Sequence, residues 1–115
     1  MVASSRPVYL KLRDMIAAAI IDGTYEEGTL LPSVRMLAAQ QGANPLTVAK
    51  AYQQFQLDEL VEVQRGVGMM VAKGARARLL SAERDQFLTR EWPAIRERID
   101  RLGVDVAELL APVVR

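Results

Sequence analysis

Residues 33–57 read SVRMLAAQQGANPLTVAKAYQQFQL, and this stretch decides the fold. Ser33 is a natural N-cap, because its hydroxyl can accept a free amide of the first helical turn. Val34, Leu37, Ala38 and Gln41 follow at i, i+3, i+4 and i+7, so the spacing predicts a short helix over 34–41. Gly42 suits the left-handed C-terminal position that closes such a helix. Asn44-Pro45 restarts the chain at once, Asn as N-cap and Pro in the first helical position. Val48, Ala51, Tyr52 and Phe55 form the inward stripe of a second helix over about 45–58, with Asn44, Thr47, Lys50 and Gln54 toward the opposite face. Two helices joined by a three- or four-residue turn containing Gly make a helix-turn-helix.

Upstream, Val8, Leu12, Met15, Ile16, Ala19 and Ile20 share one helical face, with Pro7 at the start and Asp22-Gly23 at the stop. This predicts a helix over 8–22. Gly28 and Pro32 punctuate the loop that follows, and Leu30 or Leu31 offers one short pairing strand. Downstream the period changes from 3.6 to 2. Val61-Glu62-Val63-Gln64 reads as a half-buried strand, Arg65-Gly66-Val67-Gly68 as a turn and Met69-Met70-Val71 as the partner strand. A hairpin directly after a helix-turn-helix is a wing. Lys73-Gly74 reads as a junction between a domain over 1–73 and a tail over 74–115.

In the tail, Leu88, Trp92, Ile95, Ile99 and Leu102 are spaced 4, 3, 4 and 3, the seam of helices that pack along one another. Pro93 lies inside the seam, so the helix either kinks there or breaks near Glu91. The seam stays in phase through the proline, which favours a kink. Asp105 and Glu108 form a capping pair for a last short helix, and its end near Leu110 reads as the end of a complete chain. The fold class is mainly α with a small β-wing: a winged helix-turn-helix followed by a short α-helical dimerisation region.

Composition narrows function. The 115 residues contain neither Cys nor His, which excludes disulfides, thiolate nucleophiles, zinc-finger ligands and imidazole bases. The Asp and Glu residues converge on no face, so they read as solvated surface, and neither an enzyme site nor a cofactor is expected. There is no long uncharged apolar run to span a membrane. Met1 to Arg6 is short and polar and lacks a signal-peptide core, which places the chain in the cytoplasm. The net charge is +1. Residues 1–73 carry seven Lys or Arg and seven Asp or Glu, so any nucleic-acid surface must come from local placement of charge.

Several spaced elements together resemble the GntR family of bacterial regulators. They are Pro7-Val8-Tyr9, Gly23 with Gly28, Leu31 to Ala38, Thr47 to Tyr52, and Gly66 to Val71. The short tail, with Asn44-Pro45 and Lys50-Ala51-Tyr52, is similar to the YtrA-like subfamily, in which a small helical unit mediates dimerisation. The chain departs from the family pattern at Val34, at Asp58-Glu59, at Met69-Met70, and at Pro45, where an Arg is common. These positions bear on the operator rather than the fold.

The resemblance implies a DNA-binding transcription regulator that holds a palindromic operator as a homodimer, with repression as the default. Double-stranded operator DNA and a second copy of the chain are the expected partners. The third helix would enter the major groove and the wing the adjacent backbone or minor groove. Arg35 corresponds to an arginine of the family's second helix and would hold a phosphate or a guanine edge, or else pair with a nearby carboxylate. Asn44 serves equally as cap or contact. Thr47 suits a phosphate or a thymine methyl, and Lys50 the backbone, unless it is a solvated lysine. Arg65 and Gly66 at the wing tip suit a minor groove or phosphate, although both are also ordinary turn residues. Tyr9 and Lys11 would make positioning contacts, unless Tyr9 packs under the tail. The seam from Leu88 to Leu102 is assigned to the dimer interface, since a tail of this size cannot bury its stripe alone. The residues identify no small-molecule effector. The tail is too small for the usual enclosed cavity, which leaves the dimer interface as a ligand site. A winged helix used only for protein contacts is the competing reading, and the near-neutral charge supports it.

Overall fold

The structure, a computed structural model, describes residues 7–112. The leader reading of Met1 to Arg6 and the outer limits of both predicted domains lie outside the described residues. Six α-helices and two strands follow in order: α1 Val8–Asp22, α2 Val34–Gln41, α3 Pro45–Leu57, β1 Val61–Gln64, β2 Gly68–Val71, α4 Ala75–Gln86, α5 Trp92–Leu102 and α6 Val106–Leu109.

Local chemistry sets the bounds of the first three helices. Pro7 stands one residue before α1, and its carbonyl accepts the amides of Leu10 and Lys11 at 3.0 and 3.3 Å. The Ser33 hydroxyl accepts the Met36 amide at 3.1 Å, and the Asn44 side chain accepts the Leu46 amide at 2.8 Å. Gly42 closes α2 at φ +61°, a conformation that other residues adopt only with strain.

One core holds this part together. Leu12, Ile16, Ala17 and Ile20 of α1, Leu37 and Ala38 of α2, and Val48, Ala51, Tyr52 and Phe55 of α3 are all buried in it. The whole predicted inner stripe of α3 is therefore core. On α1 the stripe turns slightly: Ala17 joins the core, while Val8, expected inside, is exposed. Burying a large aliphatic or aromatic side chain contributes about 1.5–3 kcal/mol, so this cluster is the main favourable term in the fold.

The wing is an antiparallel ribbon in which Val61 pairs with Val71 and Gln64 with Gly68. Leu30 bridges Met70, and the Leu31 amide donates to the Met69 carbonyl at 2.8 Å, so the loop before α2 adds the expected third pairing segment. Val63, expected to face inward, is 53% exposed. Burial falls off along the ribbon from the Val61–Val71 pair toward the tip, because a two-stranded wing soon runs past the helices that cover its base.

Compactness divides the chain between Leu80 and Ser81, within α4 rather than at Gly74. Ala75 and Leu79 are buried in the winged-domain core. Three bonds pin the same turns. The Glu27 carboxylate accepts the Arg76 amide at 3.1 Å, Arg76 Nε donates to the Ile21 carbonyl at 2.7 Å, and Arg78 donates to the Glu59 carbonyl at 2.7 Å. Glu59 itself sits at φ +59°, a left-handed conformation uncommon outside glycine.

In the second unit the helix runs on through Pro93 without a break. A π-helical stretch, Phe87–Glu91, precedes the proline, and the Trp92 amide donates back to the Phe87 carbonyl. A π turn re-registers the backbone bonds next to a residue that has no N–H to give. Asp105 caps α6 by accepting the Ala107 amide at 3.0 Å. Between Ser81 and Pro112 no side chain is buried. Of the predicted seam, Leu88 is 59% and Leu102 65% exposed, Ile95 is exposed, and Trp92 and Ile99 are half-buried.

Candidate nucleic-acid interface

The described arginines of the winged unit divide into two groups. Arg13 pairs with Asp58 at 3.4 Å and lies over the Phe55 ring, while Arg76 and Arg78 hold backbone carbonyls. These three have structural work. Arg35, exposed at the start of α2, and Arg65, exposed on the wing turn, have no hydrogen-bond or ion-pair partner among the described residues. Among the described residues the carboxylate pairing weighed for Arg35 is not formed.

Helix α3 is seated by its buried face. Tyr52 is buried, and its hydroxyl donates to the Pro32 carbonyl at 2.6 Å. Burial, with Tyr25 nearby, pushes this phenol well above its ordinary range, so it stays a neutral donor. The bond ties α3 to the residue just ahead of the α2 cap.

The outer side of α3 shows which predicted residues come together. Tyr9, Thr47 and Lys50 line one open groove with Val8 and Leu46. The Lys50 ammonium lies 4.0 Å above the Tyr9 ring, a cation–π contact that joins α1 to α3. Thr47 is half-buried and Lys50 exposed. Asn44 spends its side-chain oxygen on the cap. Lys11, Arg35, Arg65 and Gly66 are exposed and lie outside the lining of this groove. Gly66 adopts φ +76° in the turn closed by the Val67 amide and the Gln64 carbonyl at 2.8 Å.

A second groove, between α3 and the wing, is lined by Leu46, Ala49, Lys50, Gln53, Gln56 and Met69. Leu46 is 79% exposed, and Ala49 and Gln53 are exposed as well. Reasoning from the polar residues of α3 passed over these three. The signal that finds them is the same periodicity, taken one residue further round: positions 46, 49, 50 and 53 lie opposite the buried 48, 51, 52 and 55.

Charge placement is equally specific. Residues 28–57 contain Arg35 and Lys50 and no Asp or Glu, in a chain with 14 acidic residues. No carboxylate lines either groove. An overall charge of +1 thus conceals a helix-turn-helix with no acid to repel a polyanion. Among the described residues no cluster of acidic side chains is arranged to hold a metal ion, and no helix is long and apolar enough to cross a membrane.

Residues 8–71 match the family model for bacterial regulatory proteins of the gntR family. The HTH-type transcriptional regulator YhcF of Bacillus subtilis is 29% identical over 107 residues, covering 93% of this chain and 87% of its own length. The HTH-type transcriptional repressor YtrA of the same organism is 30% identical over 102 residues, covering 89% of this chain and 72% of its own. Among solved structures, a GntR family transcriptional regulator from Listeria monocytogenes superposes with a TM-score of 0.74 at 27% identity, covering 95% of this chain and 94% of that one.

Proposed function

Because this chain belongs to the GntR family of bacterial regulatory proteins, we propose that it is a cytoplasmic repressor that binds a palindromic operator as a homodimer. It is a transcriptional regulator with a winged helix-turn-helix DNA-binding domain, close to YtrA, and not an enzyme. Helix α3 lies in the major groove, where base edges present distinct donor and acceptor patterns. Thr47 and the Tyr9–Lys50 pair face the strand beside it, with Asn44 capping the helix that carries them. Lys11 adds a positioning contact to phosphate. Arg35 approaches from α2, where its planar fork can hold a phosphate or a guanine edge. Arg65 and Gly66 carry the wing to the adjacent minor groove or backbone. The tail seam of Leu88, Trp92, Ile95, Ile99 and Leu102 joins two protomers, so that two half-sites add their contacts. Repression rests on the similarity to YtrA, itself named a repressor.

The observation that carries this reading is the acid-free stretch 28–57 with Arg35 left unpaired among the described residues. The test is selection of operators from a random duplex pool, followed by titration of the best duplex at two salt concentrations. Arg35→Ala is expected to weaken binding roughly 10- to 100-fold, since a bond from a charged group contributes about 1.5–3 kcal/mol. The wild type should lose affinity as salt rises. Uniform weak binding to every duplex would favour instead a winged helix used for protein contacts, the reading that the net charge of +1 supports.

A further inference from the structure

The face that α3 presents is unusual for a surface meant to meet DNA. A large apolar residue stands open on it: Leu46, at the second position of the helix, is 79% exposed. Ala49 and Gln53 continue the same side at i+3 and i+7. From Leu46 to Gln53 the helix rises roughly 10 Å, about three base-pair steps of a duplex. The helix carries no arginine, and its one cation, Lys50, is held over the Tyr9 ring at 4.0 Å. Nothing on this face offers the fork that reads guanine.

We propose that α3 reads A·T pairs: Leu46 and Ala49 cover thymine C5-methyl groups, and Gln53 takes an adenine edge with its amide. This rests on the DNA-binding reading above and adds the chemistry of the half-site. In the major groove the methyl of thymine is the one apolar feature a base pair displays, and a Gln amide matches the acceptor and donor of adenine N7 and N6. The N-terminal residues of a recognition helix are those that reach the bases, which is where Leu46 stands. The surrounding groove suits a polyanion, since no carboxylate lines it and Lys50 does. A leucine left this exposed beside a lysine gains most by covering a methyl group that water otherwise surrounds.

The test uses the full chain and its selected operator. The duplex is made in two forms, one with thymine and one with deoxyuridine throughout, which lacks only the methyl groups. Wild type should bind the deoxyuridine duplex about fourfold more weakly for each methyl covered, the equivalent of one buried CH2. Leu46→Ala should bind the thymine duplex less tightly and lose about fourfold of the sensitivity to deoxyuridine, the share of the methyl that Leu46 covers. Gln53→Ala should relax the preference for adenine at one position of the half-site. Both residues are exposed, and unchanged thermal melts would verify that the variants fold. A selected site with G·C pairs under α3, or wild-type binding indifferent to deoxyuridine, would overturn this inference while leaving operator binding intact. Failure to select any site would remove both.

Discussion

At the scale of single residues, the winged unit depends on polar groups whose partners lie far away in the chain. Tyr52 and Pro32 are the clearest pair. The phenol is buried, and its hydroxyl satisfies the Pro32 carbonyl at 2.6 Å. A Tyr52→Phe variant keeps the ring and the packing but leaves that carbonyl without this donor. A lost neutral bond costs about 1 kcal/mol, rising toward 3 when the group left behind is well buried. For a domain of this size each kcal/mol lowers the melting temperature by roughly 4–8 °C. A thermal melt should show that fall. Equal melting temperatures would mean that the carbonyl finds water instead. The residue type pointed to a core position in sequence, but the hydroxyl's partner was not legible there. No periodicity links positions 32 and 52.

At the scale of elements, the same contrast recurs. The bounds of α1, α2 and α3 were legible because each is set by residues within one turn of its ends, such as Ser33, Gly42 and Asn44-Pro45. The π-helical stretch before Pro93 was legible only as a choice between a kink and a break. The attachment of α4 was not legible, since it depends on Glu27, Ile21 and Glu59, far upstream. Glu27 makes this attachment sensitive to pH. Backbone amides of Gly74 and Arg76 hold its carboxyl below the ordinary value of 4.5. The folded state therefore favours the ionised form. Its contribution is fully present above about pH 4.5 and is lost as the pH falls through the lower folded value. A Glu27→Gln variant should melt below wild type at pH 7, and the gap should close as the pH falls below 4.5 and through the lower folded value. A constant gap across that range would show that the carboxylate's charge is not what anchors α4. Asp22, lowered by its bonds to Thr24, titrates in both proteins and so cancels from the comparison.

At the scale of the whole molecule, the tail poses the largest imbalance. Between Ser81 and Pro112 no side chain is buried, yet this stretch includes Phe87, Leu88, Trp92, Ile95, Ile99 and Leu102. The Phe87 and Trp92 rings lie 6.3 Å apart. A helix this apolar on one side is stable in water only if something covers it. The 4-3-4-3 spacing of the seam is what a second copy of the same helix would match. Ile95 and Ile99 stand one turn apart at its centre, so Ile95→Asp with Ile99→Asp places four like charges in a twofold interface. Sedimentation should then find a monomer for the variant and a dimer for the wild type. Operator affinity should fall by roughly 10²- to 10⁴-fold, because the second half-site no longer benefits from the effective concentration that the linkage supplies. Binding to a single half-site should stay within about twofold of wild type, since the seam lies beyond Leu80 and the groove-lining residues lie before it. A variant that remains dimeric would move the interface elsewhere, and α6, with Leu109 and Leu110 exposed, is the next apolar surface to test. A monomer that keeps full affinity for the palindrome would mean that the two half-sites are read independently, and that the tail serves a purpose other than joining them on DNA.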